Sequence, residues 1–372
     1  MGDVQNSEVY LYADSWLTIS GRPLIRFNGR NIVEFIFLCI SVAGIPLTIL
    51  TIFIIITKTP PQMRKYQWIL LNLVVTVFIT DITICILFDP LPVFPEIACY
   101  SESWIANVTE NATFILFSIS LILLQFSFCG TLVAFIHRLN ALQPLPGKFE
   151  RILHYNSYYV TAVIYILGNI PIIFVLVFSY RAPEEMKAVV ESKPQLQFLK
   201  GYQSYLATEE DDRRFVQFQV IWLTTAFIFI SLCGIIAGII LIHLYKKRKF
   251  MSSRTMELHR DLMIHLIVQS LTPALSVLVP IMILFSTRYF QVPFGAKFWN
   301  AVISQTVAMH SPISTIAVLV ATKYYRKALF SMLKAILEKF SGKPVVRATV
   351  RNRIESTTVP CQLIIPPFRS NL

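Results

Sequence analysis

The sequence predicts an all-α membrane protein: a seven-transmembrane helix bundle with its N-terminus outside, its C-terminus cytoplasmic and an amphipathic helix after span seven. Three observations carry this. Of 372 residues, 55% are hydrophobic and only 15% charged, against about 45–50% and about 25% in a soluble domain. Seven apolar runs, near 31–56, 68–87, 114–136, 158–178, 218–245, 262–285 and 298–320, are long enough to cross a hydrocarbon core, which takes about 20 helical residues. Between these runs, 22 Lys and Arg fall on the side holding the C-terminus and 11 on the side holding the N-terminus. That asymmetry places the first side in the cytoplasm.

No run alternates as a barrel strand does, and no internal repeat marks a transporter. One receptor-sized bundle, 31–322, is therefore expected between an extracellular segment, 1–30, a juxtamembrane helix, 323–340, and a disordered cytoplasmic tail, 341–372. The net charge of +12 borders spans rather than forming one soluble face. It suits the anionic inner leaflet, at about 1 kcal/mol per nearby basic residue, and gives no case for nucleic acid. The first thirty residues hold no apolar signal core, and Asn6 breaks the myristoylation pattern, so insertion is expected to begin with span one.

Taken in order, span one carries Glu34 near its outer end, and span two carries Asn72 and Asp81. Ionisable groups in hydrocarbon are costly and mark function by default. Asp81 is the strongest such candidate, and Asn72, Asp81 and His310 form a candidate intramembrane polar network. Interhelical hydrogen bonds that only hold the bundle, averaging roughly 0.6 kcal/mol, would use the same residues. The next outer loop holds two sequons, Asn107-Val108-Thr109 and Asn111-Ala112-Thr113, which are candidate N-glycosylation sites. Asn111 is equally placed to cap span three.

Span three carries Gln125 and ends in FIHRLNAL. Its Arg138 can meet the foot of span six, meet a partner entering between them, or snorkel to the interface. The outer loop 179–217 is the longest polar insertion and ends in Glu209, Glu210, Asp211, Asp212, Arg213 and Arg214. It either covers the bundle mouth or is a solvated charge run.

The stretch 246–280 organises the rest. Lys246, Lys247, Arg248 and Lys249 pin the adjoining helix ends to the cytoplasm. Span six follows with Arg260, Gln269, Pro273 and Pro280. Neither proline has an N–H, so the carbonyls of Gln269 and Ser276 lose their helical donors and the helix should bend. A bent helix on a charged foot is a candidate switch; proline is also common in membrane helices that do not move. Span seven holds Gln305 and His310. From 323 to 340, Tyr325, Leu329, Met332, Leu333, Ile336 and Phe340 recur at helical spacing opposite Lys323, Arg326, Lys327, Lys334 and Lys339, the pattern of a helix lying in the interface. In the tail, Ser356, Thr357 and Thr358 are candidate phosphorylation sites.

Six cysteines make no disulfide framework: Cys39, Cys85, Cys129 and Cys233 lie in apolar runs and Cys361 in the tail. Cys99 lies in an outer segment, as a free thiol or paired between chains. No HExxH, GxSxG, Walker A or CxxC pattern occurs, and the histidines have no metal-ligand spacing. Neither catalysis, a metal nor a cofactor is expected.

The topology resembles that of a G-protein-coupled receptor. The wording of three blocks is most similar to nematode serpentine chemoreceptors of class H, with class I related: TPPQMRKYQWILLNL running to Asp81, TMELHRDLMIHLIVQSLTPALSVLVP, and MHSPISTIAVLVATKYYRKAL. Matched positions include Thr59, Asn72, Asp81, Arg260, Gln269, Pro273, Pro280, His310, Thr315 and Tyr325. Against rhodopsin-like receptors the chain departs in three ways. Ile136-His137 precedes Arg138 where an acid would stand, span seven has no NPxxY, and the second outer loop has no cysteine.

The resemblance implies a chemosensory receptor in the plasma membrane, in the cilium of sensory neurons. It would bind an extracellular small molecule or peptide and activate a heterotrimeric G protein through Arg138, Lys246, Lys247, Arg248, Lys249 and Arg260. Gln269, Pro273 and Pro280 would form the helix switch. A ligand-gated ion channel is the main rival, distinguished by ligand-evoked current with G-protein signalling blocked. A transporter comes third and an enzyme last.

Overall fold

The computed structural model describes residues 18–19, 22–23, 32–59, 64–93, 96–142, 157–209, 211–249, 252–286, 303, 306–307 and 309–340. Outside these lie the tail 341–372, most of the segment 1–30, the loop 143–156, Glu210 and most of the expected start of span seven, including Gln305. The Glu34 side chain is also outside them.

A short antiparallel pair, β1 (Thr18–Ile19) and β2 (Arg22–Pro23), precedes the helices. These are α1 (Ile32–Lys58), α2 (Arg64–Ile82), α3 (Ala112–Leu142), α4 (Ser157–Phe178), α5 (Pro183–Ser192), α6 (Arg213–Lys247), α7 (Ser253–Pro273), α8 (Val279–Ser286), α9 (His310–Ala321) and α10 (Lys323–Phe340). Among the described residues, five helical stretches are long and apolar enough to cross a membrane: Tyr66–Phe88, Ala112–Leu142, Tyr158–Phe178, Arg213–Lys247 and His259–Ile283. Shorter apolar helices lie at Val42–Lys58 and His310–Ala321.

Several helices outrun their apolar cores because polar groups serve their ends. Asp212 accepts from the Arg214 N–H and caps α6 at its start, and Lys246 and Lys247 fill its last turn, where a cation meets the free carbonyls. Gln67 donates its amide to the Ile55 and Ile56 carbonyls at 2.9 and 3.1 Å, serving acceptors that the end of α1 leaves open.

Helix α3 is central, packed against α2, α4, α6 and α7. Its inward face mixes Leu116, Leu124, Phe128 and Phe135 with Ser120, Ser127, Cys129, Gly130, Thr131 and Ala134. Small residues let neighbouring backbones approach, which drives packing where lipid is as apolar as leucine. The polarity is inverted relative to a soluble bundle. Thr48, Thr51, Asp81, Gln125, Arg138, Asn169, His265, Gln269 and His310 are buried, while α4 and α6 expose Ile166, Ile170, Phe174, Phe227, Ile235 and Ile242. Trp68, Tyr158, Tyr159 and Tyr245 stand exposed near the ends of α2, α4 and α6 that adjoin the basic cluster, where an interfacial aromatic belt belongs.

At the opposite end, the segments 90–111 and 179–212 build a structured cap. Strands β3 (Pro90–Val93), β4 (Ala98–Ser101) and β5 (Tyr205–Ala207) form an antiparallel sheet in the order β3-β4-β5. Helix α5 and the turn Pro194–Gly201 pack on it around Met186, Val189, Val190, Leu196, Leu199, Tyr205 and Ala207. Each fully buried aliphatic there contributes about 1.5–3 kcal/mol. The polar insertion thus has an apolar core of its own. The charge run is engaged as well: Asp212 pairs with Arg181, and Arg214 with Glu185 at 2.7 Å. Burial raises the Asp212 carboxyl's pKa, but hydrogen bonds from Arg181 and the Arg214 N–H outweigh it and hold the group below its usual range.

Cys99 is a free thiol in β4. Burial pushes it up to about 12, so almost no thiolate exists at neutral pH to react. Asn107 is exposed at the end of the turn Trp104–Asn107. The Asn111 side chain does not cap α3: its Oδ1 accepts from the Tyr180 hydroxyl at 3.5 Å, and the Thr113 N–H donates instead to Ser204 Oγ at 2.7 Å.

The chain divides into two compact units, 1–329 and 330–372, with the division inside α10. The second unit's described part is the end of α10, which exposes Phe330, Leu333 and Leu337.

Asp212→Ala removes both the α6 cap and the Arg181 pair. Hydrogen exchange at the β4 and β5 amides should accelerate by roughly tenfold, the loss of about one cap and a partly buried pair. Lowering pH should act in the same direction: the contribution is full above the unfolded carboxyl value of about 3.9 and lost as pH falls through the lower folded value. Unchanged exchange in the variant would remove Asp212 from the cap's support.

Candidate functional site

Two groups of polar side chains stand out, one midway along the bundle and one at its basic end. The midway group begins with Asp81 on α2, 7% exposed. The Cys85 thiol donates to its Oδ1 at 3.5 Å, and Gly44 of α1 comes close: a Cβ there would sit 3.7 Å from Asp81 Oδ2 and 3.5 Å from Pro312. Three helices thus converge on the carboxylate because α1 offers no side chain at that point. The Ser311 hydroxyl lies beside Asp81 without a hydrogen bond of regular geometry.

Across the seam, α7 passes into a π-helical turn, Ala274–Leu278, before α8. Pro273 and Pro280 flank this turn, so the widening lies where two helical donors are missing. Ser276 inside it donates to the Thr272 carbonyl at 2.7 Å, and its Oγ is 3.2 Å from His310 Nδ1. A hydroxyl has one proton, already given to a carbonyl, so His310 must donate from Nδ1 and keep Nε2 as a bare acceptor. That Nε2 has no hydrogen-bond partner among the described residues, while His265 lies beside Gln269 and the Ala317 backbone without a hydrogen bond of regular geometry.

The expected network divides. Asp81 and His310 both lie along the α9 seam, but Asn72 is turned away and donates to the Tyr165 hydroxyl of α4 at 2.7 Å. Gly130 on α3 makes room for that bond, since a Cβ there would lie 2.8 Å from the Tyr165 oxygen. Sequence reasoning gave Asn72 the wrong neighbour because a helix position alone does not say which adjacent helix supplies the partner.

At the basic end, Arg138 of α3 is 7% exposed, and its Nε and Nη2 have no hydrogen-bond partner among the described residues. Tyr66 of α2 and His259 of α7 interact electrostatically with it. Lys247 of α6 donates to the Leu142 carbonyl at 2.6 Å, tying α6 to the end of α3. The structure brings Arg138 and Lys247 together. It leaves Lys246, Arg248, Lys249 and Arg260 exposed, with Arg260 3.8 Å from Asp261.

Two links here escaped sequence reasoning. Lys323 at the start of α10 meets Glu257 at the foot of α7 at 2.6 Å, and the Lys323 hydrogen bond lowers the Glu257 pKa. The fully buried Tyr325 lies 2.9 Å from Thr59. Thr59 gives its proton to the Ile55 carbonyl, so the phenol donates to Thr59. The signal for this link was Thr59 and Tyr325 standing in two of the similar blocks.

Compared with known proteins, residues 30–335 match the model of the family described as serpentine type 7TM GPCR chemoreceptor Srh. No curated protein matches the chain.

Gly130→Ala should lower the melting temperature, because overpacking costs about 1–3 kcal/mol. Adding Tyr165→Phe should restore most of the loss by removing the oxygen that the new methyl meets. A double variant no more stable than Gly130→Ala would place the conflict elsewhere.

Proposed function

Because the chain belongs to the Srh family of serpentine seven-transmembrane chemoreceptors, we propose that it is a plasma-membrane chemosensory receptor that couples an extracellular ligand to a cytoplasmic heterotrimeric G protein. Its N-terminus and cap face outward, its basic end faces the cytoplasm, and in the animal it serves the cilium of a sensory neuron. The ligand is a small molecule or peptide that binds among the outer helix halves beneath the cap.

The observation that carries the reading is the joint in span six. The π-helical turn between Pro273 and Pro280 lies above a foot whose Glu257 is paired with Lys323. A ligand that favours one of two bundle states shifts the balance by its difference in affinity for them. An exposed ion pair resists such a shift weakly, by about fivefold at most. Movement of the foot would uncover Arg138 and the basic residues around it to the G protein. Gln269, one turn before Pro273, meets His265 without a hydrogen bond of regular geometry, and a second arrangement could pair its amide better.

Membranes carrying the chain should accelerate nucleotide exchange on a member of a broad G-protein panel when exposed to active odorant or peptide mixtures. Pro273→Ala should reduce that response several-fold while surface expression stays near wild type. Equal losses of both would make the proline structural only, and ligand-evoked current with G-protein signalling blocked would favour a channel.

Asn107, exposed beside the cap, should carry an N-glycan, so that Asn107→Gln increases gel mobility as glycosidase does. Accessibility of the N-terminus only after permeabilisation would overturn the orientation.

A further inference from the structure

The turn Trp104–Asn107, in the cap segment 90–111, puts a large ring in water and a sequon asparagine three residues after it. Trp104 is 74% exposed, and Asn107, Val108 and Thr109 are exposed beside it. The turn itself is well held. The Ala106 N–H meets the Ser103 carbonyl and hydroxyl at 3.2 and 3.3 Å, and the Val108 N–H donates to the Ile105 carbonyl at 3.1 Å. Ala106 is buried, and the turn packs against Thr83–Phe88 and α3.

An exposed ring says little by itself, because every protein surface carries apolar residues. Its register says more. In a 3₁₀ turn, side chains three positions apart eclipse, about 6 Å from one another along the axis. Trp104 and Asn107 stand in that relation. The Asn107 side chain also reaches back along the turn, its Nδ2 donating to the Ser103 carbonyl at 3.5 Å. That bond uses one of two amide hydrogens, so a sugar on the same nitrogen leaves it intact. The second sequon is placed differently: Asn111 is half-buried and its Oδ1 accepts from the Tyr180 hydroxyl.

A pyranose ring carries hydroxyls around its edge, while its face of axial hydrogens is apolar and slightly positive. The face of an indole is negative and apolar, and so complements it. We propose that Trp104 is the binding surface for the first sugar of an N-glycan on Asn107, an N-acetylhexosamine whose apolar face stacks on the indole. The inference rests on the outward orientation and the Asn107 glycan proposed above, and adds the group that receives the sugar. Attachment joins Asn107 Nδ2 to the anomeric carbon of a lipid-pyrophosphate-linked oligosaccharide. The bond from that carbon to the pyrophosphate breaks, and one amide proton is lost. Stacking is non-covalent and follows folding. It braces the turn, because opening the turn must lift the sugar from the ring.

The test is hydrogen exchange at the Ala106 and Val108 amides of the purified full chain in lipid nanodiscs, with Asn107 occupancy read by mass spectrometry of the same samples. Three forms are compared: the intact glycan, the glycan trimmed by an endoglycosidase to one sugar, and Thr109→Ala, which keeps Asn107 but loses the sequon. The first two should exchange alike, and the third several-fold faster. Trp104→Ala should exchange equally fast with the glycan and without it, whereas Trp104→Phe, with a smaller ring, should keep part of the protection. The Thr109→Ala comparison stands alone if Trp104→Ala folds poorly. Protection that persists in Thr109→Ala would assign the ring to lipid or protein contacts and overturn the proposal. So would protection that survives in glycosylated Trp104→Ala, or that disappears on trimming to one sugar. An occupied Asn107 with no effect on exchange overturns the stacking and leaves the outward orientation standing. An Asn107 that is never occupied overturns both the stacking and the glycan it rests on.

Discussion

Hydrocarbon offers no hydrogen bond, and most of this structure follows from that constraint. A lipid-facing side chain can be Ile166, Phe174 or Ile242 at no cost, whereas an amide or hydroxyl must find its partner inside the protein. Hydroxyls along the spans solve this locally. Thr51, Thr76, Thr80, Ser118, Ser120, Thr131, Thr225 and Thr272 each donate to the carbonyl four residues earlier, at 2.7–3.0 Å. Longer polar side chains reach across helices, as Gln125 does to the Gly168 carbonyl at 3.1 Å. Closeness is made possible by glycine: a Cβ on Gly168 would lie 2.5 Å from Cys129 Sγ. Satisfied polar groups and small residues are thus two sides of one packing solution.

Span six departs from the solution, and the departure is local. Two prolines remove two donors, the helix widens to a π turn between them, and Ser276 spends its only proton on the Thr272 carbonyl. Among the described residues, the His310 Nε2 remains buried and unpaired nearby, and His265 and Gln269 meet without a hydrogen bond of regular geometry. An unsatisfied polar group costs its desolvation in whichever state leaves it so. A segment holding several such groups therefore has more to gain from a second arrangement than the middle of α3, where Ser118, Ser120 and Thr131 are already engaged.

Helices were legible because hydrophobic length and helical spacing act within a segment: α4 matches the apolar run almost residue for residue, and α10 covers the residues whose three-and-four spacing predicted a helix. What was not legible depends on residues far apart in sequence. The cap joins Ala98 to Ala207 across β4 and β5, and nothing local in either segment announces the pairing. Thr113 receives its capping partner from Ser204, not from the adjacent Asn111. Asn72 and Asp81 share a helix but face different neighbours, a distinction that needs the placement of α4 and α9 rather than their sequences. Arg138 was visible as an arginine at a helix end; that it is buried, with Nε and Nη2 unpartnered among the described residues, was not, since snorkelling and burial share one sequence pattern.

The two ends of the bundle treat charge in opposite ways, and that contrast argues for a division of labour. At the cap end, cations and acids meet in pairs: Arg181 with Asp212, Arg214 with Glu185, Lys187 with Glu110 and Lys193 with Glu96. Together with the aliphatic cluster under the sheet, they hold the segments of the cap to one another. At the basic end, among the described residues, cations outnumber acids, and the buried Arg138 has no partner at Nε or Nη2. Paired charges gain little from rearrangement, whereas an unpartnered buried group gains by acquiring a partner. The same chain thus places paired charges at the cap and an unpartnered cation, among the described residues, at the basic end, with the flanking prolines and the π turn of span six between them.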